Sequence, residues 1–234
     1  MCVVAVAWRA HPEWHIIVAG NRDEFHARQS APLSHWEDQT DIIAGRDLVS
    51  GGSWMGVSTK GRFAVVTNIR SSERPDPDKC SRGALVADWL GGGLLPDNGD
   101  CFNPFNLLAS DQNGAMLLSN RPAHTLCTLD NGIYGLSNAI PDEHWPRKDR
   151  LTRAMNSWLA DEPHRLDLLL DMLGEEKLPD QDAYPIFIHN PVYGTRCSTV
   201  VAVRPDGRGR IIERRFDSDG QRIGETSLDF NWAM

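Results

Sequence analysis

The amino-acid sequence opens on a β-rich apolar run, Cys2-Val3-Val4-Ala5-Val6-Ala7-Trp8, and answers it with a second at residues 14–20. Only Arg9-Ala10-His11-Pro12-Glu13 lies between them, so the two read as a hairpin starting at the very N-terminus. Residues 53–58 and 61–67 form another strand pair around Thr59-Lys60-Gly61, and 105–109 with 115–119 a third around Asp111-Gln112-Asn113-Gly114. Residues 133–136 read as a short strand. A helix is expected over 81–90, with Ser81 as its cap and Gly91-Gly92-Gly93 as its stop. Two amphipathic helices follow at 146–159 and 163–173, each with proline near its start. Strands return at 186–189, 198–203 and 209–216, the last two joined at Pro205-Asp206-Gly207. Strands first, helices in the middle and strands last predict antiparallel sheets with helices packed outside, not a βαβ array.

The 234 residues suit one domain spanning 1–234, with no repeat or linker to divide it. Net charge is −8, and no Lys/Arg run exceeds two residues. Nucleic acid and an anionic membrane surface are therefore not expected as partners. No apolar stretch approaches the ~18 residues of a membrane span, and the opening run lacks the basic flank of a signal peptide. The five cysteines are odd in number, irregularly spaced and without a CxxC pair, which argues against a disulfide framework or a structural zinc. A reducing, cytoplasmic setting is the expectation. The eight histidines show no metal-ligand spacing, since Pro12 interrupts His11 and His15. No metal or cofactor is expected on these grounds.

Cys2 is the most informative position. Removal of Met1 before so small a residue would place a thiol and a free α-amine on one residue. An α-amine with an ordinary pKa of about 7.7–8.0 can act as a base near neutrality. The thiolate is a nucleophile, so Cys2 could supply both parts; the bland reading is a small residue on an opening strand. Asn21-Arg22-Asp23-Glu24 ends the second strand and would lie beside the N-terminus in a hairpin. There Arg22 could lower the thiol pKa and Asp23 could hold the amine, or the four could simply be polar turn residues. Asn68 and Asn138 each follow a strand, where a side-chain amide can donate to an oxyanion or merely shape a turn. Arg196 precedes the strand at 198–203, as a site cation or a surface charge. Trp54 either lines a pocket or fills the core.

These segments together resemble the NRDE family, also called the transport-and-Golgi-organization family. The resemblance is carried by Met1-Cys2, residues 19–25, Gly51-Gly52-Ser53-Trp54 with 55–58, Thr67-Asn68, residues 81–86, Tyr134-Gly135-Leu136-Ser137-Asn138 and Gly194-Thr195-Arg196-Cys197-Ser198-Thr199-Val200. That family in turn looks like the cysteine branch of N-terminal nucleophile hydrolases, with relatives such as penicillin V acylase and bile-salt hydrolase. The resemblance implies an α+β fold, a four-layer αββα sandwich of two antiparallel sheets. It implies Cys2 as nucleophile, Asp23 as the residue binding its amine, Asn68 and Asn138 as helping to form the oxyanion hole and hold the nucleophile, with a small-molecule substrate or ligand as partner, and Arg196 near the site. Asn21 and Trp54 are expected to contact substrate. The hydrolases carry an arginine where this chain has Gly20, and Arg22, two residues on and facing the same side, is the expected replacement. Two functions follow as expectations: cleavage of a linear amide C–N bond by Cys2, or non-catalytic binding of haem or an acyl compound on the same scaffold.

Overall fold

The computed structural model describes residues 2–141, 143–176 and 184–232. The first hairpin forms as its apolar runs require. Strand β1 (Val3–His11) pairs antiparallel with β2 (Trp14–Phe25), in register from Val3 opposite Asn21 to His11 opposite Trp14. The irregularity between Trp8 and His11 is taken up at Arg9, whose φ is +44°. Strand β2 runs on to Phe25 because β11 (Tyr193–Val203) pairs along its length, from Tyr193 opposite Phe25 to Val203 opposite Ile16. Residues 21–24 are thus paired strand residues and not a turn. Strands β10 (Gly132–Leu136), β12 (Arg208–Phe216) and β13 (Arg222–Asn231) complete a six-stranded sheet of order β10-β1-β2-β11-β12-β13.

The second sheet has seven strands in chain order: β3 (Ser30–His35), β4 (Ile42–Asp47), β5 (Met55–Ser58), β6 (Arg62–Asn68), β7 (Phe105–Ser110), β8 (Ala115–Ser119) and β9 (Thr125–Leu129). The two sheets pack face to face, and strand alternation decides what each residue meets. Val4, Val6, Trp8, Ile16 and Val18 point between the sheets, against Met55, Val57, Phe63 and Val65. Their odd-numbered neighbours Val3, Ala5, Ala7, Ile17 and Ala19 point outward, under two helices. Burial on both faces is why these strands read as unbroken apolar runs and not as an alternation.

Helix α1 (Arg82–Gly91) covers the outer face of the seven-stranded sheet with Leu85, Val86, Trp89 and Leu90, and ends at Gly92, whose φ of +110° suits only glycine. Helices α2 (Pro146–Asp161) and α3 (Leu166–Leu173) cover the six-stranded sheet, burying Leu151, Met155, Trp158, Leu169 and Leu173. The architecture is the expected α+β sandwich, in the order helix, sheet, sheet, helices. Among the described residues no helix is long and apolar enough to cross a membrane.

Two local expectations are corrected, and two strands appear where the sequence pattern marked none. Residues 186–189 are not a strand, since their backbone bonds elsewhere. The Ile186 carbonyl accepts from Asn21 and Arg147, the Phe187 N–H donates to Glu175 O, and the Ile188 N–H donates to Thr195 Oγ1. The segment 26–52 holds β3 and β4, masked in the sequence by Pro32 and polar residues on an edge strand. Helix α3 begins at Leu166, because the Pro163 carbonyl is held by Trp14 Nε1 at 2.9 Å.

Candidate active site at the end of the sheets

A cavity of about 490 Å³ opens where β1 begins and where β2 and β6 end. Cys2, Arg22, Trp54, Asn68, Arg82 and Arg196 are among the residues that line it. Six of the eight residues expected at the site bear on this cavity directly or line it; Asn21 and Asn138 do not line it.

Cys2 is half-buried, with its thiol 3.9 Å from the Asp23 carbonyl oxygen to which it donates. Burial pushes the Cys2 thiol pKa up, and the nearby Asp23 charge acts in the same direction against Arg22. The resting side chain is therefore a thiol, and its use as a nucleophile calls for a base at hand.

Asp23 is 4% exposed, and its carboxylate lies on the helix side of the sheet. Arg147 Nη1 donates to its Oδ2 at 2.5 Å and Thr195 Oγ1 to its Oδ1 at 2.7 Å. Tyr193 holds the Asp23 carbonyl from its hydroxyl at 2.8 Å. Arg147 also donates to the carbonyls of Pro185 and Ile186. The sequence reading missed Arg147, Thr195 and Tyr193. Arg147 had a usable signal, since it stands in the buried stripe of α2 with Leu151, Met155 and Trp158, where a lone cation needs a buried partner.

Asn21 is corrected from a substrate contact to an internal tie. It is fully buried on the helix side, donates from Nδ2 to Leu173 O at 2.8 Å and Ile186 O at 3.0 Å, and accepts from Ser198 Oγ at 2.7 Å. Arg22, on the opposite face of β2, does line the cavity and lies 3.7 Å from Glu24 Oε2. A side chain at Gly20 would start 3.0 Å from Val3 O and Val4 Cγ2 and 3.2 Å from Met55 Cε. An arginine there would need that packing to move, so Arg22 is the cation this face of the strand can carry.

Asn68 is the last residue of β6 and is exposed at the cavity. Asn138 is buried behind it and donates from Nδ2 to the Asn68 carbonyl at 2.6 Å. The Arg70 N–H returns a bond to the Asn138 carbonyl at 2.7 Å, and Thr67 Oγ1 donates to Ser137 O at 2.7 Å. Asn138 therefore positions Asn68 across the two sheets, and its expected place at the oxyanion is corrected accordingly. Arg196 sits at the register shift between Thr195 and Cys197. Its Nη1 spans the carbonyls of Phe25, His26 and Arg28 at 3.2, 2.8 and 3.3 Å, so it clamps the chain leaving β2 while it lines the cavity. Trp54 meets both readings, packing on the inter-sheet core and lining the cavity. Arg82, the first residue of α1, joins them; burial lowers its pKa, with the Cys2 and Glu24 charges opposing. Among the described residues no cluster of three or more His, Cys, Asp or Glu could hold a metal ion.

A cysteine at the head of the first strand, opening into a cavity at the end of two antiparallel sheets, belongs to the fold of N-terminal nucleophile hydrolases. Solved structures share it, among them the following two. The N-acylethanolamine-hydrolyzing acid amidase ortholog of Caenorhabditis elegans superposes with a TM-score of 0.53 at 14% identity, covering 97% of this chain and 100% of that one. A mutant conjugated bile acid hydrolase from Clostridium perfringens gives a TM-score of 0.52 at 7% identity, covering 98% and 92%. At such identities the likeness is one of fold. The chain belongs to the Transport and Golgi organisation 2 family, whose sequence model matches residues 1–218. The Transport and Golgi organization protein 2 homolog of Bos taurus is 28% identical over 273 residues, covering 98% of this chain and 99% of that protein.

Proposed function

We propose that this protein is a cysteine amidohydrolase that cleaves a linear amide C–N bond after Met1 is removed. The observation that carries the reading is the place of Cys2: it lines the cavity while the Arg22-Asp23 segment, whose carbonyl takes its thiol, lies alongside the start of β1. The Cys2 Sγ attacks the amide carbon, and its proton passes to the α-amine of the same residue. The negative charge that develops on the carbonyl oxygen falls near Asn68, whose amide is the donor at the cavity wall. The α-amine then gives the proton to the leaving nitrogen as the C–N bond breaks. Water, deprotonated by the same amine, hydrolyses the thioester and restores the thiol. Asp23 supplies a fixed negative charge beside the amine, and Arg147 and Thr195 hold it in place. Arg22, Arg82 and Arg196 add cations around the cavity.

The test is hydrolysis of a panel of linear N-acyl amides by the chain with its N-terminus checked by intact mass. Cys2→Ala removes turnover of any amide that the unaltered chain cleaves; an unchanged rate overturns the proposal.

A second reading, binding of haem or an acyl compound without cleavage, is favoured by one observation. The hydrolases' arginine is replaced by Gly20, and Arg22 lies within ion-pair distance of Glu24. Of the residue types that ligate haem iron, the cavity lining offers Cys2, Cys80 and Cys197. A haem titration with a Soret shift that Cys2→Ala abolishes supports this reading, and a flat titration removes its haem version.

A further inference from the structure

One wall of the cavity rim is built from two segments far apart in sequence. The Cys80 N–H donates to the Cys101 carbonyl at 2.7 Å, and Cys80 bridges Phe102 in parallel register. Below them the Asp76 N–H donates to Asn103 Oδ1 at 2.9 Å, and Asn103 Nδ2 returns a bond to Asp76 O at 2.8 Å. Lys79 Nζ reaches the Phe102 carbonyl at 3.5 Å. This register brings Cys80 and Cys101 side by side on neighbouring segments. Both are free and exposed, and Cys80 lines the cavity that holds Cys2. The proposed hydrolysis uses neither.

We propose that Cys80 and Cys101 are a reversible dithiol pair, oxidised by a low-molecular-weight disulfide such as glutathione disulfide, whose bond staples the 76–80 rim to residues 101–103. The odd cysteine count and the absence of a CxxC pair conceal it, because the fold and not the spacing makes the two neighbours. Cys80 attacks first: its thiolate displaces one glutathione and leaves a mixed disulfide. Cys101 then gives up its proton to solvent and attacks the Cys80 sulfur, releasing the second glutathione. Two protein thiols are oxidised to one disulfide, and one glutathione disulfide is reduced to two thiols. The order follows from position, since Cys80 lines the cavity and Cys101 does not. The other cysteines provide internal comparisons. Cys127 is exposed on β9, its thiol directed at the Leu117 carbonyl, and Cys197 is buried.

The experiment incubates the full chain with glutathione disulfide at neutral pH, blocks remaining thiols, and maps peptides without reduction. The expected product is a Cys80–Cys101 linked peptide in a monomer two hydrogens lighter, reversed by dithiothreitol. Cys101→Ser, at an exposed position, removes the resolving thiol. A stable glutathione adduct then accumulates on Cys80 at roughly tenfold or more over the unaltered chain, because the competing step is intramolecular. Cys127 collects adduct equally in both. Independent adducts on Cys80 and Cys101 with no link overturn the proposal, as does oxidation that joins Cys80 to Cys2.

Discussion

A protonated thiol and a thiolate poised for attack are different reagents, and half-buried Cys2 rests as the former. Its pKa is raised chiefly by desolvation, so the native state keeps a proton that the unfolded chain would release. The sign follows: the native thiol is less ionised than an unfolded one at every pH below its raised pKa. This contribution to stability is full below the ordinary thiol pKa and is lost as pH rises through the raised value. Alkylation of Cys2 in protein that retains Met1 is therefore slower native than in urea, a deficit that shrinks only above the ordinary thiol range. Chain that has lost Met1 carries its own base and alkylates faster at neutral pH. Equal native and unfolded rates in the Met1-bearing form would contradict the burial argument. The two asparagines separate in the same way. Asn68→Ala removes the donor at the cavity wall and lowers kcat by about 10²–10³. Asn138→Ala frees the Asn68 carbonyl and moves the donor without deleting it, so its loss in kcat is smaller while KM holds. Single-turnover kinetics on an accepted amide compares them, and an Asn138 effect larger than that of Asn68 reverses the assignment.

Helix α2 is pinned to the site strand by one ion pair, and that pair also organises the chain between α3 and β11. Arg147 reaches Asp23 with Nη1 and the Pro185 and Ile186 carbonyls with the rest of its guanidinium, all out of solvent. Breaking such a pair leaves a buried charge uncompensated, so Arg147→Ala destabilises by about 3–5 kcal/mol. Thr195→Val removes a donor to the same carboxylate and the acceptor of the Ile188 N–H, and costs about 1.5–3 kcal/mol. Urea unfolding of both variants checks the ranking, and an Arg147→Ala loss smaller than that of Thr195→Val excludes a buried pair at this place. The same elements show what the sequence made legible. The first hairpin, α1, α2 and the β7–β8 pair follow from apolar runs, caps and turns, and those signals are local. The site's supporting partners are not local: Arg147 lies 124 residues from Asp23 and Thr195 172 from it. Asn21 looked like a site residue because its neighbours are; only the alternation of a strand covered on both faces sends it to the helix side. The 186–189 run has strand composition, yet its backbone is held by the side chains of Asn21, Arg147 and Thr195 and by the isolated carbonyl of Glu175, partners that no pattern announces. Edge strands β9 and β13 are largely exposed, so the apolar alternation that marks a strand is faint there.

The whole molecule carries a net charge of −8, and its cavity does not share that sign. Arg22, Arg28, Arg46, Lys79, Arg82, Arg196 and Arg215 line it, against Asp23, Glu24, Asp47 and Glu213. Several of these cations are answered internally: Arg28 by Asp47 at 2.6 Å, Arg46 by Asp38 at 2.7 Å, and Arg215 by Glu213 at 3.4 Å. Lys79 and Arg82 instead donate to the backbone carbonyls of Phe102 and Pro104, which satisfies hydrogen bonding without cancelling charge. A concave wall of low dielectric concentrates that positive field at the mouth, while the acidic exterior repels anions elsewhere. Among amides that the protein cleaves, those carrying a carboxylate should then show the lower KM, and the advantage should fade with salt as the Debye length falls from about 10 Å at 0.1 M toward 3 Å at 1 M. Arg82→Gln should raise KM for the acidic amides and leave neutral ones nearly unchanged. The measurement is KM against ionic strength for a matched acidic and neutral pair. Parallel salt dependence in the two would mean that the cavity's charge serves its walls and not its substrate.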